Sequence, residues 1–309
     1  MVNLSTALNP ILQSLLKFYG LRSQTIEIQA GTVVHFWAPN HIIETYKNQA
    51  NQVIKSSNHV EKPTLVFLHD FAATGVLTWL LQIMAFESTH EVFVPDLLFF
   101  GGSTTDRTER SPVFQAECLT KGLKLLGVKR CAVVGCSYGE IVGSKMAAME
   151  PEFVTFLVLS NSNFAITESQ SEEAFNRVGV RSWQELMLPE TVEGLKKLLG
   201  VVVYKRPWFP DWAYKHFLQV MFDSRKERAE LLKALVIKDK DFVIPNISQE
   251  IYFASGEEDK IFTVKIVQQT KSELGDKATL NLIKKAGHLA HLERPFVYNR
   301  NLKKILTSV

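Results

Sequence analysis

A serine stands in the run Val133-Val134-Gly135-Cys136-Ser137-Tyr138-Gly139, between an apolar stretch and a segment of helical character. Cys131 to Val134 reads as a short buried strand, and Ile141 to Ala148 as a helix. A serine on a sharp strand-to-helix turn is forced into a strained backbone conformation, and the glycines at either side leave room for the bend. The turn lifts Oγ clear of a sheet and sets the Tyr138 N–H beside it, at a helix N-terminus that favours negative charge. Nucleophilic acyl transfer needs both features. Ser137 is the candidate nucleophile, and Tyr138 the first candidate oxyanion donor.

A serine hydroxyl is a weak nucleophile until a base removes its proton, and the base needs a partner that fixes its tautomer and stabilises its cation. In a sheet enzyme these groups belong on loops after later strands, in the order Ser, acid, His. The strand-like Ile251 to Ala254 runs into Ser255-Gly256-Glu257-Glu258-Asp259, and a last strand into Lys284-Lys285-Ala286-Gly287-His288. Asp259 is the candidate acid, ahead of Glu257 and Glu258, which are expected to be solvated. His288 is the candidate base, and His291, in an apolar stretch, reads as structural. A second oxyanion N–H is expected from Phe71, in the loop His69-Asp70-Phe71-Ala72-Ala73.

These groups need a frame. Thr25–Ile28 and Thr32–Trp37 alternate as a hairpin turning at Ala30-Gly31, and residues 39–61 read as a polar loop with a little helix. Strands at 64–68, 91–94, 131–134 and 153–159 then alternate with helices at 76–86, 112–126 and 141–148. This is the rhythm of a doubly wound α/β sheet. The rhythm stops after Asn163 and returns at Glu250, with a helix at 264–274, a strand at 279–283 and a helix at 293–306. Residues 1–163 and 248–309 are therefore expected to form the core, and 164–247 a helical cap inserted in it. The cap sequence is rich in aromatics, of which Trp208 and Trp212 are expected at the substrate pocket together with Asp70.

With 309 residues, 46% hydrophobic and 22% charged, the chain has an ordinary globular composition. A net charge of +3 without a basic block points to no nucleic-acid partner. Three cysteines make no disulfide framework, and with no signal-like start or membrane-length apolar run the expectation is a cytoplasmic protein. An amphipathic segment within residues 8–19 lies either on the domain's own surface or weakly on a membrane. No metal-ligand spacing is present, and no cofactor is expected.

Several segments in one order resemble the α/β-hydrolase superfamily over nearly the full length, in particular lidded plant proteins similar to monoacylglycerol lipases and epoxide hydrolases. They are Leu68-His69-Asp70-Phe71, Val94 to Gly101, Gly135 to Gly139, Gly256 to Phe262 and Ala286 to Pro295. The resemblance implies an eight-stranded sheet, a helical lid after the sixth strand and a cofactor-free Ser-Asp-His triad. Epoxide hydrolases and haloalkane dehalogenases of the superfamily use Asp where this chain has Ser137, which argues against both chemistries. Two positions depart from the family pattern: Asp70 and Glu140 stand where glycine is usual. An anion at position 70 would oppose a developing oxyanion unless it is turned away or hydrogen-bonded.

The expected function is hydrolysis of a carboxylic ester of a hydrophobic small molecule, a lipid or plant metabolite, through an acyl-enzyme. The alternatives on the same fold are a ligand-binding receptor and an enzyme using the triad for elimination, cyclisation or acyl transfer.

Overall fold

The computed structural model describes residues 4–50, 62–161 and 163–307, so residues 51–61 of the expected polar loop lie outside it. Helix α1 (Leu4–Phe18) leads into the hairpin β1 (Leu21–Gln29) and β2 (Thr32–Pro39), followed by α2 (Asn40–Ala50). Gly31 turns the hairpin at φ +73°, and a Cβ there would collide with the Asp106 carboxyl group. Next come β3 (Thr64–Leu68), α3 (Gly75–Phe86), β4 (Glu91–Pro95), the two-residue β5 (Thr104–Thr105) and α4 (Pro112–Leu125). Ser111 caps α4 by accepting from Phe114 N–H, and Pro112 occupies its first turn, where no backbone donor is needed. The core continues with β6 (Cys131–Cys136), α5 (Tyr138–Met149) and β7 (Val154–Ser160).

Between β7 and the next long strand the chain forms β8 (Ile166–Thr167), α6 (Glu168–Val178), α7 (Trp183–Met187), α8 (Val192–Val202), α9 (Asp211–Met221), α10 (Arg225–Leu235) and β9 (Val236–Ile237). Thr167 and Gln170 form a reciprocal capping box at the start of α6, and left-handed Gly179 ends it. The short strands β8 and β9 pair in parallel, joining the entry and exit of this helical insertion. The remaining elements are β10 (Ile251–Gly256), α11 (Val264–Leu274), β11 (Ala278–Ile283), α12 (Ala290–Glu293) and α13 (Pro295–Thr307). Helix α13 begins at Pro295, two residues after the start that the sequence predicts, and a separate turn of helix, α12, precedes it and ends where proline supplies no N–H to continue it.

The long strands lie in the order β1-β2-β4-β3-β6-β7-β10-β11, with β5 added beside β2 as a ninth strand. From β4 to β11 they run parallel, and β1 and β2 form an antiparallel edge. Both faces are covered. Leu119, Leu123, Ile141 and Met146 belong to one apolar cluster, and Trp79, Phe86, Tyr298 and Leu302 to another. This double covering explains why the central strands are continuous apolar runs. The chain leaves β3 toward β4 on one side and crosses back to β6 on the other. Ligands in open α/β sheets bind at the carboxyl ends of strands where the winding direction reverses, and β3 and β6 make that crevice here.

Helix α1 seats Leu16 fully in the core, while Ile11 and Phe18 face outward. Among the described residues no helix is long and apolar enough to cross a membrane.

Candidate active site

Ser137 follows β6 directly, with φ +53° and ψ −115°, a conformation that costs an L-residue energy and must be held by its surroundings. Its N–H is held by Ser160 C=O at 3.0 Å. The flanking glycines are sterically required. A Cβ on Gly135 would lie 2.6 Å from the backbone of Gly139 and Glu140, and one on Gly139 would lie 2.4 Å from Leu68 O. The second contact brings the start of α5 against the end of β3, so the serine and the Phe71 loop share one corner. Phe71, Ser137 and Tyr138 line the same cavity, with the Phe71 and Tyr138 rings edge to face at 5.5 Å.

Asp259 and His288, 29 positions apart, meet after β10 and β11. His288 Nδ1 lies 2.9 Å from Asp259 Oδ2, and both side chains are buried. The other Asp259 oxygen accepts from Ile261 N–H at 2.7 Å and Phe262 N–H at 3.1 Å, so the carboxylate cannot rotate away from the imidazole. Burial alone would depress the His288 pKa. The charge and hydrogen bond of Asp259, helped by Asp70, outweigh it and hold this group above the ordinary histidine value. His288 Nε2 is buried and makes no hydrogen bond among the described residues. Glu257 is half-buried and Glu258 exposed, whereas Asp259 is buried.

His291 packs on Trp79 with ring centroids 4.5 Å apart, away from any carboxylate hydrogen bond. Burial pushes its pKa down to about 4, so near neutral pH it is an uncharged core ring. His69 is also a buried, neutral group: Nδ1–H donates to Asp70 C=O at 2.6 Å and Nε2 accepts from Leu97 N–H at 2.9 Å. That pair of bonds ties the β3 loop to the β4 loop.

Several expectations need correction. Asp70 neither faces an oxyanion position unscreened nor points into solvent. It is buried, with Oδ1 accepting from Ala72 N–H at 2.6 Å and Oδ2 from Thr78 Oγ1 at 3.1 Å. Glu140, the other departure from the family pattern, is fully buried in the first turn of α5. Trp208 and Trp212, expected at the substrate pocket, are 85% and 61% exposed and are absent from the cavity lining. Phe209 instead turns inward onto Tyr214 and Phe217, filling the insertion's own interior. The roof over Ser137 is formed by Trp183, Met187, Leu232 and Leu235, which the sequence does not distinguish from other amphipathic helix positions.

Serine at position 137 is 8% exposed, and the cavity beside it is only about 20 Å³. Pockets that enclose a drug-sized ligand run to roughly 300–1,000 Å³. The insertion is fully down on the sheet. Arg228 of α10 anchors it: Nε donates to Phe99 C=O at 2.9 Å, Nη1 to Met221 C=O at 2.7 Å and Nη2 to Asp223, while the guanidinium lies 4.1 Å from the Phe100 ring centroid. At the other end, Glu293 bridges Gly287 N–H and Tyr204 N–H, each at 2.7 Å, so the loop before His288 is tied to the insertion.

Asn161 is a positioning residue that sequence reasoning missed. It sits at φ +65° after β7, donates to His288 C=O and accepts from Gly256 N–H, both at 2.7 Å. It thereby sets the spacing of the β10 and β11 loops that carry Asp259 and His288. Asparagine tolerates left-handed backbone better than most residues, but a lone Asn after a strand carries no sequence signal of that role.

Residues 63–195 match the model of a family described as alpha/beta hydrolase fold. The chain has the α/β-hydrolase fold, and its residues 63–195 are similar to that family. Human epoxide hydrolase 4 is 25% identical over 157 residues, covering 50% of this chain and 38% of the relative. The chain spans less than half the length of each curated relative it matches. Among solved structures, a bacterial membrane phospholipase A superposes with a TM-score of 0.75 at 19% identity, covering 99% of this chain and 91% of that one. The 2-hydroxy-6-oxo-6-phenylhexa-2,4-dienoate hydrolase of Rhodococcus sp. strain RHA1 gives 0.71 at 18%, covering 92% and 98%. At such identities the likeness is one of fold.

Proposed function

We propose that this protein is a serine hydrolase that cleaves the carboxylic ester of a hydrophobic small molecule through an acyl-enzyme. The observation that carries the reading is the buried Asp259–His288 pair at 2.9 Å, at the same sheet edge as a strained serine on a strand-to-helix turn. Ser137 Oγ attacks the ester carbonyl while His288 Nε2 takes its proton. Asp259 holds the imidazole with Nε2 free and stabilises the imidazolium. The Phe71 and Tyr138 N–H groups stabilise the tetrahedral oxyanion. Its collapse breaks the ester C–O bond, and His288 returns the proton to the departing alcohol. Water, activated by the same histidine, then releases the carboxylic acid and frees Ser137.

Apolar residues around Ser137 favour an uncharged hydrocarbon acyl group. The insertion acts as a cap, and the small cavity requires it to shift before a substrate enters. A fluorophosphonate probe should label the wild-type protein and not Ser137→Ala, and p-nitrophenyl esters of graded chain length should be turned over. Activity should rise with pH through a value above 6.5, as the raised His288 loses its proton. Equal labelling of both proteins would sink the nucleophile assignment. Labelling of the wild type without turnover of any ester would favour a receptor.

A further inference from the structure

We propose that Asp70 is a positioning residue for this chemistry: its side chain folds and fastens the loop bearing the Phe71 N–H. The inference rests on the serine-hydrolase reading. It reverses the sign that the sequence suggests, in which a carboxylate at position 70 hinders ester hydrolysis.

Aspartate in a tight loop can bond the backbone two residues on, closing a small turn with its own side chain. Asp70 does this through Oδ1 to Ala72 N–H at 2.6 Å. Its other oxygen takes the Thr78 hydroxyl on α3, and its carbonyl takes the His69 ring N–H. The loop is thus fastened on both sides of Phe71. The Phe71 N–H makes no hydrogen bond among the described residues, although the side chain is buried. A buried, unused donor costs free energy, and it is retained only where the surrounding structure dictates the backbone. The Phe71 ring supplies the remaining restraint, edge to face with Phe100 at 5.2 Å and Tyr138 at 5.5 Å. A donor fixed before the reaction needs no reorganisation as charge develops, which is what makes oxyanion stabilisation effective.

The charge has a second target. Three titratable groups from different elements bear on His288: Asp259 after β10, Asp70 after β3, and His291 of α12. Glu293 approaches the same loop through Gly287 N–H. Asp259 contributes most to keeping His288 protonatable despite burial, and Asp70 adds to it. Both Asp70 oxygens already accept donors, which moderates its field at the oxyanion position.

The test compares wild type, Asp70→Ala and Asp70→Asn as full-length proteins, using p-nitrophenyl butyrate between pH 5 and 9 and fluorophosphonate labelling of Ser137. Circular dichroism confirms that each variant is folded. Asp70→Ala should lower kcat about a hundredfold, the scale of losing one oxyanion donor, with KM little changed. Asp70→Asn keeps an acceptor for Ala72 N–H and should recover at least about tenfold of that loss. Lacking the charge, it should displace the acidic limb of the pH–rate profile to lower pH. Loss in Asp70→Ala without rescue by Asn would overturn the proposal, as would a folded Asp70→Ala within twofold of wild type. Should Asp70→Ala fail to fold, Asp70→Asn decides: kcat within about tenfold of wild type is expected, and a loss of about a hundredfold in folded protein overturns the proposal. A wild type that neither labels nor turns over overturns the hydrolase reading and this inference with it. Labelling and turnover by the wild type, with no rescue by Asp70→Asn, overturn only the inference.

Discussion

The floor of the site and its roof are built by different physics. At the carboxyl ends of β6, β10 and β11, polar groups are buried and held by named partners: Ser137 by Ser160, Asp259 by two backbone amides, and the His288 loop by Asn161. Each bond is directional, so a displacement of a few tenths of an ångström loses energy. The roof side chains Trp183, Met187, Leu232 and Leu235 meet the floor through apolar contact, which is nearly indifferent to small rotations. The insertion's polar anchorage runs through Arg228 at Phe99, Glu293 at Tyr204, Arg177 at the carbonyls of Lys260 and Ile261, and Leu289 N–H at Val202 C=O, and none of it comes from the four roof side chains. On the proposed function, the chemistry falls to the hydrogen-bonded floor, and access and chain-length selection to the apolar roof. Substitutions should separate the two: floor changes should act on kcat, and roof changes on which ester is taken and on stability.

The largest effects should come from the floor. His288→Ala should lower kcat by several orders of magnitude, and Asp259→Asn by a smaller factor, on the pattern of other triads. The Asn side chain keeps an acceptor for Ile261 and Phe262 but no longer favours the tautomer with Nε2 free. Steady-state kinetics on matched, folded samples would check this. Equal losses at His291→Ala would mean that the base has been misassigned.

Unlatching the roof should matter less to chemistry and more to stability. Arg228→Leu leaves two carbonyls without a donor and removes the contact with Phe100, at a cost of about 2–3 kcal/mol. Limited proteolysis should then cut first within α9 and α10, while fluorophosphonate still labels Ser137. Loss of labelling in a folded variant would show that floor and roof are not separable.

A third comparison concerns two buried histidines, close in sequence, whose pKa values are displaced in opposite directions. His291 is held down near 4, so between about pH 6.5 and 4 the unfolded chain binds a proton that the folded protein refuses. Stability should fall with acid across that window, by up to about 3 kcal/mol from this group. His288 is raised and works in reverse: its contribution is present at low pH and lost as pH rises through the folded value. His291→Phe preserves the stack on Trp79 and removes the titration, so its melting temperature should depend less on pH between 4 and 6.5. An unchanged slope would assign the acid sensitivity elsewhere, with buried His69 the next group to replace.

The smallest effect is expected at the outer surface of the roof. Trp208→Ala and Trp212→Ala remove exposed rings and should change stability by no more than about 0.5 kcal/mol, with kcat/KM within about twofold. A large rise in KM for long-chain esters would return these tryptophans to the substrate path.

The sheet rhythm, the serine turn and the strand-end loops carrying Asp259 and His288 were legible in the chain because they depend on local rules. Glycine spacing permits one backbone conformation, apolar runs of five or six residues make buried strands, and catalytic groups follow strand ends. The roof was less legible. Helices α7 and α10 have the same amphipathic pattern whether their apolar faces meet each other or a cavity, and aromatic density drew attention to Trp208 and Trp212. Nothing within a few residues tells which way an inserted helix turns.

By itself the sequence determined the fold class and the candidate chemistry, since short-range steric and hydrophobic patterns specify both. Only the tertiary structure decided the environment of each charge. Asp70 reads as an obstacle in the chain and becomes a hydrogen-bonded turn residue once Ala72 and Thr78 surround it. His288 and His291, three residues apart, diverge because one meets a carboxylate from a distant loop and the other an indole face. Protonation free energies depend on burial and on partners brought together through space, and spacing along the chain does not contain them.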